Sequence, residues 1–370
     1  MKRRDFAIGF GAAGLNALGG AARPAVPSRD DFPTALGRGD REGARRAWTE
    51  AASGSPKAIG QSDALLIVHN GRLVLERYGG DHGPTTRHIA WSMTKSVTHA
   101  LAGVAVKQGR IDIDRPLRVV ARPDPKLNLR ALLTLTDGLK WDEGDYDPAN
   151  SDATRMLYGP GRLDGAAYAA ARPQAFLPGT RWNYSTGAFQ LAAAELQANL
   201  FPAARTPDAR RADMSAWMRQ SLFDPIGMIS ATPEFDAAGT FVGGSFLYAT
   251  ARDFARFGEL YRLDGVWKGR RILPEAWVRF ARTPTVEPTY GAGFWLEAKA
   301  GAKPPSLMGG AGPADAYSAQ GHNGQVILIV PSKAAVIVRL GLMDDGDAAW
   351  KALGEWLTPM VNALQDAKSA

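Results

Sequence analysis

Cysteine is absent from the 370 residues, and histidine occurs only five times. Without cysteine the chain has no disulfide bonds, no thiol nucleophile and no cysteine-ligated zinc. The five histidines do not fall in a metal-ligand spacing, so the sequence predicts no metal and no metal cofactor. Any chemistry must therefore rest on serine, lysine, tyrosine, histidine and carboxylate side chains.

Long runs of lysine and arginine are also missing, although the formal net charge is +7. The densest basic group is the short stretch 41–46, and the remaining basic residues are spread along the chain. Spread positive charge favours a solvated basic surface, so we predict no nucleic-acid partner. With 45% hydrophobic residues, the chain has a globular composition and enough length for a sizeable core.

The first 28 residues have the features of an export signal. Arg3 and Arg4 precede an apolar stretch rich in glycine and alanine that runs to about position 22. A basic start followed by a modest apolar run is typical of a signal peptide, and the paired arginines favour the twin-arginine route. We expect a periplasmic or secreted protein with no stable membrane span after signal removal, and an amino-terminal arm at residues 29–62.

A dinucleotide-binding fingerprint also occurs in this segment. Residues 9–14 match the pattern G-x-G-x-x-G, and Asp30 follows it. Such a site needs a buried strand before the glycines and a helix after them. Only three apolar residues precede Gly9, and Pro24 and Pro27 interrupt the way to Asp30. We therefore interpret the glycines as part of the signal and predict no cofactor.

Strand patterns occur at both ends of the remaining chain. Asn70-Gly71 joins two apolar runs, 64–69 and 72–78, which is a strong hairpin signal. Near the other end, apolar patterns predict strands at 290–297, 325–330 and 334–340 and a closing helix at 348–364. Short helical patterns fill about 112–240. The sequence thus predicts an α+β domain over 63–365, with an antiparallel sheet from both chain ends, flanking helices and an inserted, mostly helical region.

Ser92-Met93-Thr94-Lys95 is the first motif that suggests catalysis. Residues three apart share a helix face, which places the lysine amine beside the serine hydroxyl. A serine hydroxyl is a poor nucleophile and needs such a basic neighbour. Apolar residues at 97, 101, 104 and 105 predict that the following helix is buried. Alone, the pair also fits a serine that merely caps this helix.

Two later motifs offer partners for Ser92. Tyr184-Ser185-Thr186 follows a Pro-Gly turn, and a phenol close to a cation can relay protons. His322-Asn323-Gly324 leads into a strand, where glycine lets a ligand approach the backbone. Each motif alone also fits a structural role, as a half-buried tyrosine or an ordinary glycine turn.

Together and in this order, the three motifs resemble those of the serine β-lactamase and penicillin-binding protein superfamily. The resemblance is strongest to the class C β-lactamase-like branch, which also holds esterases, D-amino peptidases and 6-aminohexanoate-dimer hydrolases. That superfamily carries Ser-x-x-Lys, then Tyr-x-Asn, then Lys-Thr-Gly or a His-x-Gly variant. The similarity spans about 60–362 and implies a β-lactamase/transpeptidase-like fold.

The resemblance also implies a role for each motif residue. Ser92 would attack a carbonyl and become acylated, while Lys95 and Tyr184 share the general-base and general-acid tasks. The backbone N–H groups of Ser92 and Gln325 would form the oxyanion hole. The residues expected to contact the substrate are Thr186, His322, Asn323 and Gly324.

Two departures from the superfamily pattern bear on the substrate. Thr186 stands where asparagine is usual, and His322 replaces the lysine that would pair with a β-lactam carboxylate. The leading hypothesis is a serine hydrolase of a small amide or ester, of the esterase or 6-aminohexanoate-oligomer hydrolase type. The alternatives are a β-lactamase or D-Ala-D-Ala peptidase and, in another class, a penicillin-binding sensor that is acylated without turnover.

Overall fold

The computed structural model describes residues 57–121, 124–144, 147, 149–344 and 346–367. The predicted export signal and most of the predicted arm at 29–62 lie outside the described residues. Among the described residues, no helix is both long and apolar enough to cross a membrane.

The main sheet is built from the two ends of the described chain. The strands, in chain order, are β1 (Gln61–His69), β2 (Arg72–Tyr78), β3 (Arg87–Ile89), β4 (Thr232–Pro233), β5 (Leu247–Thr250), β6 (Val266–Trp267), β7 (Arg270–Arg271), β8 (Trp295–Leu296), β9 (Tyr317–Gly321), β10 (Gln325–Val330) and β11 (Ala335–Leu342). Six of them form a sheet in the order β2-β1-β11-β10-β9-β8, in which every neighbouring pair is antiparallel. The predicted antiparallel sheet from both chain ends is confirmed.

The first hairpin forms where the sequence predicts it. Asn70 and Gly71 both have positive φ, of 53° and 71°, as the tight turns of β-hairpins require. β1 then pairs with β11 along most of its length, from Gln61 opposite Leu342 to His69 opposite Ala335. The start and the end of the described chain are therefore locked together by a long run of backbone hydrogen bonds.

Helices cover both faces of the main sheet. They are α1 (Met93–Lys107), α2 (Leu129–Leu133), α3 (Asp152–Leu157), α4 (Gly165–Ala170), α5 (Thr186–Leu200), α6 (Pro207–Met218), α7 (Ala251–Arg262), α8 (Glu275–Ala281) and α9 (Asp347–Ala363). Shorter helical turns occur at Lys57–Ile59, Pro160–Leu163, Arg219–Phe223, Asp224–Ile226, His322–Gly324 and Pro331–Lys333. Between α1 and β4, the described residues form helices and turns, and their only β-type pairing is in isolated bridges.

Side chains alternate along the central strands between two apolar cores. Leu66 and Val68 of β1 face the larger core, to which α1 and α7 contribute. Leu65 and Ile67 face the smaller core, which α9 closes. Since side chains alternate in direction along a strand, a strand covered on both faces reads as a continuous apolar run, as β1 does.

Two features of the sheet differ from the sequence prediction. The strand predicted at 290–297 is reduced to Trp295–Leu296, because the Gly291 N–H donates to the Phe294 carbonyl and Gly293 adopts a φ of 72°. Strand β9, which no apolar run marks, lies inside the sheet between β10 and the edge strand β8. A small second sheet of β3, β5 and β4 leads the chain directly to Ser92.

Candidate active site

Ser92 occupies the junction between β3 and α1. β3 ends at Ile89, and helix α1 begins at Met93 with Ser92 as the N-cap residue. Trp91, just before the serine, has a φ of 47°, which is strained for a bulky side chain. Strain of this kind is often held at functional sites by the surrounding structure. The sharp turn places Ser92 at a cavity wall and at the positive end of a buried helix.

The Ser92 side chain does not cap the helix. Its hydroxyl makes no capping hydrogen bond and instead accepts one from Lys95 Nζ at 2.9 Å. The interpretation of Ser92 as a simple helix cap is therefore wrong, and the predicted contact between serine and lysine is present.

Lys95 is enclosed by three oxygen atoms. Its side chain is 1% exposed, and Nζ lies 2.9 Å from Ser92 Oγ, from Thr186 Oγ1 and from the Gly244 carbonyl oxygen. Burial lowers the pKa of Lys95 to about 8, and the carboxylate of Glu143 works in the opposite direction. A pKa this close to neutrality gives a substantial fraction of neutral amine, which can take the Ser92 proton.

Glu143 is a site residue that the motifs did not reveal. Its Oε1 accepts from Thr186 Oγ1 at 2.6 Å, and its Oε2 accepts from the Thr186 N–H and from Trp141 Nε1, both at 2.7 Å. The carboxylate thus reaches Lys95 through one hydroxyl. Glu143 belongs to an irregular stretch, and nothing in its sequence neighbours marks it as a partner of Lys95.

The backbone carbonyl groups of Gly243 and Gly244 also anchor helix α1. The Gly243 carbonyl accepts from Thr98 Oγ1 at 2.7 Å, one turn beyond the bond from Lys95 to Gly244. A Cβ atom on Gly244 would lie 2.7 Å from Thr186 Cγ2 and 2.9 Å from the Thr186 carbonyl oxygen. Glycine is needed here because the two backbones approach so closely.

Tyr184 joins Ser92 and Lys95, as the motif order predicts. Its ring centroid is 4.9 Å from Lys95 Nζ, and it lines the same cavity as Ser92. The ring stacks on Trp295 with centroids 5.6 Å apart and an interplanar angle of 25°. This packing fixes the phenol at the cavity wall, next to the lysine.

The cavity beside Ser92 has a volume of about 630 Å³. It is within the usual size range of small-molecule sites. Its lining residues are Ser92, Tyr184, Trp295, residues 304–309, Ala311, residues 320–322, Asp347, Trp350, Lys351 and Glu355. The lining thus combines apolar side chains with the charged groups of α9.

Of the predicted His322-Asn323-Gly324 motif, only His322 lines the cavity. Its ring meets Trp91 edge to face, with centroids 5.4 Å apart. Asn323 and Gly324, with φ of 61° and 77°, form the turn between β9 and β10. Their carbonyl oxygens accept from Arg339 Nη1 at 3.1 and 2.9 Å. These two residues shape the turn and do not line the cavity, so their contact with the substrate stays a prediction.

The predicted contact of Thr186 with the substrate is not supported by its position. Thr186 was expected to touch the substrate, but it is 2% exposed, and its hydroxyl lies between Lys95 and Glu143. As the first residue of α5, it points into the protein rather than into the cavity. Its position makes it a link between a buried cation and its counter-charge.

Gln325 does not reach the cavity. It is 3% exposed, and its side-chain amide bonds to both the N–H and the carbonyl of Gly341. The segment nearest the nucleophile is instead the end of β9, because a Cβ on Gly321 would lie 2.4 Å from the Ala90 carbonyl oxygen. The oxyanion role predicted for Gln325 belongs to its backbone N–H rather than to this side chain, so it stays a prediction, and the backbone segment that lines the cavity beside Ser92 is Gly321 and His322.

Comparisons with known proteins agree with this geometry. A profile of the Beta-lactamase family matches residues 57–341. The 6-aminohexanoate-dimer hydrolase of Paenarthrobacter ureafaciens is 25% identical over 318 residues, covering 83% of this chain and 79% of that protein.

Solved structures share the fold at lower identity. A Bacillus anthracis protein provisionally described as a 6-aminohexanoate-dimer hydrolase has a TM-score of 0.66 at 20% identity, covering 82% of this chain and 79% of that one. A D-stereospecific amidohydrolase from a Streptomyces species has a TM-score of 0.54 at 18% identity, covering 85% and 98%. The chain therefore belongs to the β-lactamase family, within the superfamily of serine β-lactamases and penicillin-binding proteins, and has its hydrolase fold.

Proposed function

We propose that the protein is a serine hydrolase that cleaves a small, linear amide or ester through an acyl-enzyme on Ser92. The observation that carries this proposal is the buried Lys95, with Nζ 2.9 Å from Ser92 Oγ at the wall of a cavity of about 630 Å³. A desolvated amine with a pKa near 8 beside a hydroxyl is the arrangement that activates a serine nucleophile.

The first half of the reaction forms the acyl-enzyme. Neutral Lys95 takes the Ser92 hydroxyl proton as Ser92 Oγ attacks the substrate carbonyl carbon. The developing oxyanion is stabilised by the Ser92 N–H at the amino end of α1 and by the backbone at the end of β9. As the tetrahedral intermediate collapses, the proton passes from Lys95, with Tyr184 as relay, to the departing amine or alcohol.

The second half returns the free enzyme. A water molecule enters where the leaving group was, gives its proton to the same Lys95 and Tyr184 pair, and attacks the acyl carbon. Collapse of this second intermediate restores the Ser92 hydroxyl and releases the carboxylic acid. Thr186 and Gly244 hold Lys95 in place throughout, because Lys95 Nζ donates to the Thr186 hydroxyl and to the Gly244 carbonyl, and half-buried Glu143 in turn accepts from the Thr186 hydroxyl.

A linear amide or ester suits the site better than a β-lactam. The cavity-lining residue of the His-x-Gly motif is His322, an imidazole in place of the lysine that would pair with a β-lactam carboxylate. The cavity also extends to α9, where Asp347 offers negative charge to a substrate amine beside the Lys351–Glu355 ion pair. The Paenarthrobacter relative is named for a linear amide dimer.

A substrate panel tests the proposal. Purified protein is assayed with p-nitrophenyl esters, the linear dimer of 6-aminohexanoate, D-amino acid amides and nitrocefin, with Ser92→Ala as the matched control. We expect turnover of a linear ester or amide at least ~10-fold above that of nitrocefin, and none with the control. Preference for nitrocefin would instead favour a β-lactamase, and stoichiometric acylation without turnover would favour a sensor.

We further propose that the chain is exported by the twin-arginine route, since Arg3 and Arg4 precede its apolar start. Cell fractionation of a variant with both arginines changed to lysine tests this. Retention of the variant in the cytoplasm is expected, and unchanged export would contradict the route.

A further inference from the structure

A second cluster of titratable side chains lies among residues that the proposed reaction does not use. Asp63, His82 and His88 each offer one possible metal-ligand atom, and these atoms lie within 4.8 Å of one another. Asp63 belongs to β1, His82 to the loop after β2, and His88 to β3. Three separate segments of the chain therefore meet at this cluster.

The distance between two members of the cluster matches the separation of two ligands of one metal ion. His82 Nε2 lies 3.3 Å from Asp63 Oδ1, slightly beyond the usual N–H···O range. Two ligands that are each about 2.0 to 2.1 Å from a tetrahedral ion are separated by about 3.3 Å. The rings of His82 and His88 have centroids 5.1 Å apart and are tilted by 35°.

His88 supplies an independent indication of a ligand. Its side chain is 8% exposed, and its Nε2 atom is buried with no hydrogen-bond partner among the described residues. A buried polar atom without a partner is costly, so its presence calls for an explanation.

The backbone around Asp63 is also unusual. The pairing of β1 with β11 shifts register between Ser62 and Ala64, so Asp63 lies at a β-bulge. Bulges redirect a side chain out of the regular alternation. Gln61 Nε2 donates to Asp63 Oδ1 at 2.6 Å, which is the kind of contact that orients a ligating carboxylate.

We propose that Asp63, His82 and His88 bind one divalent transition-metal ion of the Zn²⁺ type, with water completing the coordination. Two imidazoles and one carboxylate form a donor set typical of Zn²⁺ and its neighbours in the first transition series. The ion would tie β1 and the loop after β2 to the strand that leads to Ser92. This proposal departs from the sequence prediction of no metal, because only the fold brings Asp63 to the two histidines.

Metal titration of the full chain without a histidine tag tests the site. After treatment with a chelator, the protein is titrated with Co²⁺, whose visible absorption reports imidazole and carboxylate ligation, and Zn²⁺ is then added as competitor. One ion per chain is expected. His82→Gln should weaken binding at least ~10-fold, since it removes one of three ligands. Asp81→Asn, a neighbouring exposed carboxylate in the same loop, is the matched control and should bind as the wild type does.

Two results would overturn the proposal: absence of saturable binding at one equivalent, or unchanged Co²⁺ affinity in His82→Gln. A second measurement needs no variant, in case His82→Gln fails to fold. Carbethoxylation of His82 in the wild-type protein, followed by peptide mass spectrometry, should be slowed by Zn²⁺. Equal modification of His82 with and without Zn²⁺ would contradict the site.

Discussion

Replacement of Glu143 by glutamine tests how the fold tunes Lys95. The Glu143 carboxylate raises the pKa of Lys95 against the lowering effect of burial, which leaves that pKa at about 8. Glu143→Gln keeps the size of the side chain and removes its charge. The pKa of Lys95 should then fall further, and the neutral amine should predominate at lower pH.

The size of the effect follows from the linking hydroxyl. Thr186 Oγ1 lies 2.9 Å from Lys95 Nζ and 2.6 Å from Glu143 Oε1, so the ammonium nitrogen and the carboxylate oxygen are at most about 5.5 Å apart. At an effective dielectric constant of about 20, these two charges attract each other by ~3 kcal/mol. That energy corresponds to about two pH units. Because Glu143 is only half-buried and solvent screens it, we expect about one unit.

The pH dependence of kcat/KM on a p-nitrophenyl ester measures this shift. In the wild type the rate should rise with pH through about 8, as Lys95 loses its proton. In Glu143→Gln the rise should occur about one unit lower. Asp142→Asn, which changes the adjacent exposed carboxylate, should leave the profile where it is. An unmoved profile in Glu143→Gln, or one moved to higher pH, would refute this account of Lys95.

Two further predictions concern buried groups near the site. Burial raises the pKa of Asp137 from 3.8 to about 6, so the folded protein favours the protonated carboxyl. The contribution of this carboxyl to the free energy of unfolding is present below pH 4 and is lost as the pH rises through 6, and the loss is ~3 kcal/mol. Asp137→Asn should therefore gain in Tm relative to the wild type between pH 4 and pH 7, and a constant difference across that range would count against the burial effect. Gly244→Ala should lower kcat by at least ~10-fold, because the new Cβ, 2.7 Å from Thr186 Cγ2, would push the Gly244 carbonyl away from Lys95 Nζ. Full activity in this variant would show that the hydrogen bond from Lys95 to Gly244 is dispensable.

The fold was predictable where local signals and long-range pairing agree. The Asn70-Gly71 turn and the apolar runs of β1, β10 and β11 predict the sheet, and it forms as expected. β9 was missed because Tyr317-Ser318-Ala319-Gln320-Gly321 is small and polar for a buried strand, and only its pairing with β10 makes it one. The glycines at 291 and 293 turned a predicted strand into a bend.

The candidate site was predictable for residues set by local spacing. Ser92 and Lys95 share one helix turn, so their contact follows from the helix alone. Glu143 was not predictable, because its contact with Thr186 depends on how an irregular stretch folds against α5. The burial of the Gln325 side chain was not predictable either, because it depends on the register that pairs Gln325 with Gly321 in the sheet.

The central claim is that Ser92, activated by Lys95, becomes acylated. Intact-mass and peptide mass spectrometry after rapid mixing with a p-nitrophenyl ester test it most directly. The account predicts one acyl group per chain, located on Ser92, absent in Ser92→Ala and formed far more slowly in Lys95→Ala. An acyl group on another residue, or acylation of Lys95→Ala at the wild-type rate, would contradict it.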